Sequence, residues 1–178
     1  MHTICSIFSA ISLDGFLTRE DGSQDWLVSV ANANHDYGYR QYLSSTDAML
    51  ISYADMKSLL STGIPVPDTC FVYTEEQLPA IAAEKLPSAI RLIQGNAISA
   101  LQQISASGFR NIAVEGREAI QALLSESLIS RMTLTLAPVL LGKGIRLFGE
   151  LTEDQYWQLQ SSQAFDDGLI QLCYEQSL

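Results

Sequence analysis

Positive charge is scarce in this chain: 10 Lys and Arg stand against 20 Asp and Glu, for a formal net charge of −10. That balance excludes nucleic acid as a partner, because a phosphate backbone demands clustered cations. An anionic ligand would have to be held by local devices, namely helix N-termini and a few arginines, while the acidity equally serves solubility. Cysteine is nearly absent. Cys5, Cys70 and Cys173 are odd in number and far apart, which excludes a disulfide framework and a cysteine-based metal set. No apolar run is long enough to cross a bilayer. The start, Met1-His2-Thr3-Ile4, lacks a basic region and a small-residue cleavage site. We therefore expect a soluble, cytoplasmic protein with no membrane partner and no metal.

What is present points to a folded enzyme-sized unit. With 178 residues, 47% of them apolar, the chain can bury a full core, and we expect one domain over residues 1–178. Residues 4–11 are apolar or small at both odd and even positions, as in a strand buried on two faces. Asp14-Gly15 and Asp21-Gly22 punctuate a loop that ends near Trp26. Residues 34–43 read as a helix, with Tyr39, Tyr42 and Leu43 on one face. Residues 47–52 form a short buried strand, and a helix carrying Tyr53, Met56 and Leu60 must stop before Pro65 and Pro67.

Residues 69–74 and 90–93 read as further strands, with Thr74 and Gln77 as caps of a helix that Pro79 would disturb. Asn96 suits the N-cap of a helix bearing Ile98, Leu101 and Ile104. Next comes a strand (111–114), a glycine turn (Glu115-Gly116), a helix (117–127) and a strand (131–136). A glycine at such a turn lets backbone N–H groups approach a phosphate, with the positive helix end behind them. Segments 156–165 and 169–174 flank Asp167-Gly168, a hairpin signal. Alternating strands and helices closed by a hairpin imply an α/β, three-layer fold. It would have a mostly parallel mixed central sheet, helices on both faces and an antiparallel C-terminal hairpin. Ligands then belong beyond the carboxyl ends of the strands, on one rim.

Four segments carry a family resemblance: Ser12-Leu13-Asp14-Gly15-Phe16; Asp25-Trp26; Ala113-Val114-Glu115-Gly116; and Ala137-Pro138-Val139-Leu140-Leu141-Gly142-Lys143-Gly144, followed by Leu147-Phe148. In order and spacing the chain resembles the dihydrofolate reductase-like superfamily. Its nearest branch is the C-terminal reductase domain of bifunctional riboflavin-biosynthesis proteins. The resemblance implies NADPH as cofactor, with NADH as an alternative, and hydride transfer to a pterin or a pyrimidine ribosylamine. It also implies a small-molecule substrate and a homodimer.

Carried onto this sequence, the resemblance places Ala10, Asp14 and Gly15 on the nicotinamide side. Gly116, Arg117, Glu118 and Ala119 would meet the pyrophosphate. Leu141 and Gly142 would lie near the mouth shared with substrate. Asp36 would polarise the acceptor as the catalytic carboxylate, or else pair with Arg40 at a helix start. Trp26 would stack on the substrate ring, or else anchor the loop as a core aromatic. Asp14 and Glu115 are further substrate-contact candidates. Asn32, Asn34 and His35 add polar groups nearby without forming a metal set, and Lys143 would reach an anionic substrate or remain a solvated loop lysine.

The chain departs from the family pattern at two cofactor positions. Where the family shows Gly-Arg-x-Thr, whose Arg and Thr hold phosphates, this sequence reads Ser52-Tyr53-Ala54-Asp55. A carboxylate beside a phosphate repels it, and a phenol is no substitute for a guanidinium fork. The family's paired glycines are Gly116-Arg117 here. Ser130-Arg131 replaces a frequent Asp-Glu, a surface change. These departures keep a second reading open: a non-catalytic ligand-binding relative with a degraded cofactor site. A third is an enzyme using NADH or another nucleotide.

Overall fold

Strand β3 (Ala48–Ser52) shows how the molecule is layered, because all five of its residues are buried. Ala48 and Leu50 face one apolar cluster, together with α4 (Ala97–Ala106) and α5 (Arg117–Ser125). Met49 and Ile51 face another, with Leu43 of α2 (Tyr39–Ser44) and Met56 of α3 (Tyr53–Thr62). A strand that alternates between two cores has helices on both sides, and its apolar residues are continuous for that reason. The computed structural model describes residues 3–62, 66–77 and 86–177.

Eight strands form the central sheet in the order β5-β4-β3-β6-β1-β7-β10-β9. β1 (Ile4–Ser12) lies in the middle, parallel to β6 (Asn111–Val114) on one side and to β7 (Arg131–Ala137) on the other. β3, β4 (Cys70–Thr74) and β5 (Ile90–Gln94) continue the parallel array outward from β6. The hairpin β9 (Trp157–Ala164) and β10 (Ile170–Gln176) turns at Asp167-Gly168, and β10 pairs antiparallel with β7. The parallel strands all end on one rim, where the turns after β1, β3, β5 and β6 gather. This is the α/β three-layer architecture implied by the alternation of elements.

Helix α5 is amphipathic for a plain reason. Ala119, Ile120, Leu123 and Leu124 recur at helical spacing and are all buried. α4 starts where Asn96 accepts the Ser99 N–H at 2.9 Å, an N-cap bond.

Three local features differ from the sequence reading. The helix expected over 34–43 begins only at Tyr39, because Tyr37 (φ 52°) and Gly38 (φ 88°) occupy the left-handed region, which a right-handed helix cannot include. The loop after β1 contains a one-turn helix, α1 (Asp25–Val28). It also contains strand β2 (Phe16–Thr18), which pairs with β8 (Ile145–Arg146) in a small antiparallel ribbon. Elements of two to four residues are too short to carry a periodic signal. Of the prolines invoked as breakers, Pro65 and Pro79 lie outside the described residues.

Candidate active site

A cleft of about 590 Å³ opens on the rim. Phe8, Ser9 and Ala10 of β1 and Thr135 of β7 form its base. The starts of α3 and α5 make one wall, with Asp55, Leu59, Glu115, Gly116, Arg117 and Ile120. The opposite wall comes from β2 and the segment between it and α2, chiefly Leu17, Leu27, Val28, Ala31, His35, Asp36 and Tyr37. Apolar side chains predominate, so a flat ring is well matched and water is poorly held. The titratable groups facing the cleft are Asp36, Asp55, Glu115, Arg117, His35, Tyr37 and Tyr39.

Glu115 is the chemically distinctive member. Its backbone N–H donates to the Leu50 carbonyl at 2.9 Å, which fixes the turn after β6 beside the end of β3. Its carboxyl sits at the cleft's inner end, where the Tyr39 hydroxyl donates to Oε1 at 3.3 Å. Burial pushes the Glu115 carboxyl up to about 8, the Tyr39 hydrogen bond opposing this only in part. At neutral pH the group therefore holds its proton. Behind it, Tyr42 donates to the Ser6 carbonyl at 2.8 Å, and the Ser6 hydroxyl donates back to Tyr42 at 3.3 Å. Burial above all keeps both tyrosines in the neutral form, and the charge Glu115 acquires at higher pH adds to this.

The other residues singled out from sequence fall in three places. Ala10, Asp36, Glu115, Gly116 and Arg117 line the cleft together. Asp36 also has a structural task, since its carboxylate accepts N–H bonds from Gly38 (3.2 Å) and Arg40 (3.3 Å), which hold its carboxyl below the usual carboxylate range. The Arg40 guanidinium stays 4.0 Å away and mostly exposed, a contact of little weight.

Asp14, Gly15, Leu141 and Gly142 form a separate bracket beside the cleft. The Asp14 carboxylate accepts the Ser12 hydroxyl at 2.6 Å and the N–H groups of Leu141 (3.1 Å) and Gly142 (2.8 Å). The Ser12 bond above all, then those from Gly142 and Leu141, bring its carboxyl down to about 2. Gly15 closes that turn, its N–H donating to the Ser12 carbonyl at 2.9 Å. Lys143 in the same loop is exposed.

The remaining residues lie off the cleft surface. Trp26 is 2% exposed, and its indole nitrogen finds no acceptor among the described residues. Ser52 is buried and its hydroxyl accepts the Asp55 N–H at 3.0 Å, capping α3. Tyr53 lies under the Lys57 ammonium, 4.8 Å from the ring centroid. Ala119 is fully buried in the core. Glu118 is exposed, and its N–H donates to Asp55 Oδ2 at 3.1 Å.

That last bond bears on whether a dinucleotide fits. Gly116, at φ 80° and ψ 150°, has a backbone that only glycine adopts readily, and it leads straight into α5. The place where its Cβ would be is 2.5 Å from Asp55 Oδ2. The carboxylate thus sits on the helix N-terminus, in the space a phosphate would use. At this end of the cleft the helix N-terminus is already occupied by the protein's own anion.

Sequence reasoning did not single out Thr135 or Tyr37 for the site. Thr135 accepts a bond from Gln171 Nε2 at 3.1 Å at the cleft base. Tyr37 donates its hydroxyl to Asp167 and packs edge-on against Phe165, with ring centroids 5.0 Å apart, so it ties the cleft wall to the hairpin turn. In the sequence Tyr39 figures only as part of an apolar helix face. A hydroxyl on that face, three residues before that of Tyr42, is the signal that could have marked it.

Comparison with known proteins agrees with this fold. The family model for the RibD C-terminal domain matches residues 59–171. "Uncharacterized protein YwjB" of Bacillus subtilis (strain 168) is 30% identical over 173 residues, covering 94% of this chain and 95% of its own. The crystal structure of a "Putative riboflavin biosynthesis protein" from Shewanella sp. PV-4 superposes with a TM-score of 0.89 at 28% identity, over 99% of this chain and all of the other. A pyrimidine reductase-like protein from Corynebacterium diphtheriae shares the fold, with a TM-score of 0.71 at 15% identity, over 99% and 92% of the two chains. With its sheet order, its rim cleft and a family model that covers more than half of its length, the chain belongs to the RibD C-terminal domain family.

Proposed function

We propose that the protein is a reductase that delivers a hydride to a carbon–nitrogen or carbonyl group of a pterin-like or pyrimidine ribosylamine substrate. A bound NADPH, or NADH, supplies the hydride. One observation carries the reading: a carboxyl held protonated at neutral pH, that of Glu115, opens into an apolar cleft at the carboxyl ends of β1 and β7. Such a group can give its proton to the acceptor's nitrogen or oxygen as the neighbouring carbon is reduced, and then recover a proton from solvent. Tyr39 keeps it oriented. Asp36, ionised at the outer wall, accepts hydrogen bonds from an amidine or ring N–H edge and so fixes the ring's direction. The apolar walls exclude competing water.

A second reading, a ligand-binding relative without catalysis, is favoured by Asp55 at the start of α5. Titration of NADPH and NADH against the purified protein, followed by tryptophan quenching, separates the two. Micromolar binding of either coenzyme is expected for the reductase. Binding of neither would leave the ligand-binding reading in its place.

A further inference from the structure

The first turns of α3 and α5 meet because β3 and β6 are neighbours in the sheet and both helices start at their carboxyl ends. Two helix N-termini side by side present two positive dipole ends to one small space. Asp55 fills it. Its residue is delivered by the first turn of α3, held by the bond from its N–H to the Ser52 hydroxyl at 3.0 Å. Its carboxylate accepts the Glu118 N–H of α5 at 3.1 Å and packs on Gly116, within 2.5 to 2.8 Å of where a side chain there would begin. Arg117, the next residue, lines the cleft and makes no ion pair among the described residues.

We propose that Asp55 acts as a built-in competitor for phosphate. It occupies the anion seat shared by α3 and α5, so a phosphate-bearing ligand binds there only by displacing it. The selectivity this creates runs in two directions. A pyrophosphate must overcome both the occupied volume and a like charge, which lowers its affinity. A ligand that presents an uncharged amide or hydroxyl edge to this turn meets the occupied volume but no like charge. The half-buried Arg117, which lines the cleft next to this turn, is then the cation offered to a phosphate lying further out. The inference deepens the reductase reading and rests on it for the coenzyme, but the seat itself is tested without any redox chemistry.

The experiment compares wild type, Asp55→Ala and Asp55→Asn by isothermal titration calorimetry, with inorganic pyrophosphate and with NADPH as separate probes on the full chain. Removing a like charge from beside a phosphate is expected to tighten binding of Asp55→Ala by about tenfold or more for both probes. Asp55→Asn keeps the volume and the bond to Glu118, so it should gain less; it also carries the comparison if the alanine variant fails to fold. Pyrophosphate affinity unchanged in both variants overturns the proposal. If wild type already binds NADPH in the micromolar range and neither variant alters it, the proposal falls while the reductase reading stands. If Asp55→Ala gains pyrophosphate but no variant binds NADPH, the competitor role stands and the reductase reading falls.

Discussion

At the scale of single residues, Glu115 and Asp14 show opposite treatments of one functional group. Burial raises the Glu115 carboxyl to about 8, from an ordinary 4.5. As pH rises from about 4.5, the unfolded chain ionises this group while the folded protein keeps it protonated until about 8. The native state then binds more protons, so stability falls across that window and levels off above it. Glu115→Gln is expected to abolish this slope and to be more stable than wild type at pH 8, by on the order of 2 kcal/mol. Urea unfolding at pH 5 and pH 8 checks this, and equal slopes for both proteins would refute it. The same variant should reduce turnover roughly a hundredfold or more if the carboxyl donates a proton. Wild-type turnover should decline as pH passes about 8, where that proton is lost.

At the scale of elements, the turn after β1 and the loop after β7 are joined through Asp14, whose carboxylate receives N–H groups from both Leu141 and Gly142. An amide offers one acceptor oxygen where the carboxylate offers two, so Asp14→Asn leaves one N–H unpaired. Faster hydrogen exchange at Leu141 and Gly142 is the expected outcome. The Asp14 carboxyl is lowered to about 2, so its contribution is complete above the ordinary carboxylate range and fades as pH falls from about 4 to about 2. The stability gap between wild type and variant should narrow over that same interval. An exchange rate unchanged at both amides would show that the bracket is dispensable.

Elements also show what could be read in advance. α4, α5 and the buried strands were legible because their apolar residues repeat at 3.6 or fill both faces. α1, β2 and β8 were not, since their existence depends on packing between distant segments such as Phe16 and Arg146, whose guanidinium lies 4.5 Å from the ring centroid. The start of α2 was missed because nothing local announces that Tyr37 adopts φ 52°. In the cleft, Glu115 and Gly116 stood out through their turn between strand and helix. Asp55 stood out as a charge out of place, but its seat on α5 depends on a contact across 63 positions that no spacing rule conveys.

At the scale of the whole molecule, the hairpin presents its outer strand to solvent. β9 is the last strand of the sheet, and all but its first residue are exposed. Leu159 of β9 and Ile170 of β10 are 50% and 46% exposed. An edge with unpaired backbone groups and apolar side chains invites pairing. We expect a two-fold dimer through this region, seen as twice the chain's 19.5 kDa by light scattering at micromolar concentration. Leu159→Lys together with Ile170→Lys should give the monomer with the cleft intact. A wild-type monomer would rule the arrangement out.

The tie between Tyr37 and Asp167 gives that assembly a further meaning. It fastens the outer wall of the binding space to the tip of the hairpin, with His35 and Phe165 packed around the knot. Leu169 faces the same binding space while its neighbour Ile170 turns outward. Should such a dimer form, occupancy and pairing would share one mechanical part: a guest pressing on Tyr37 would be felt at the hairpin, and a companion subunit clamping the hairpin would stiffen the wall before any guest arrived.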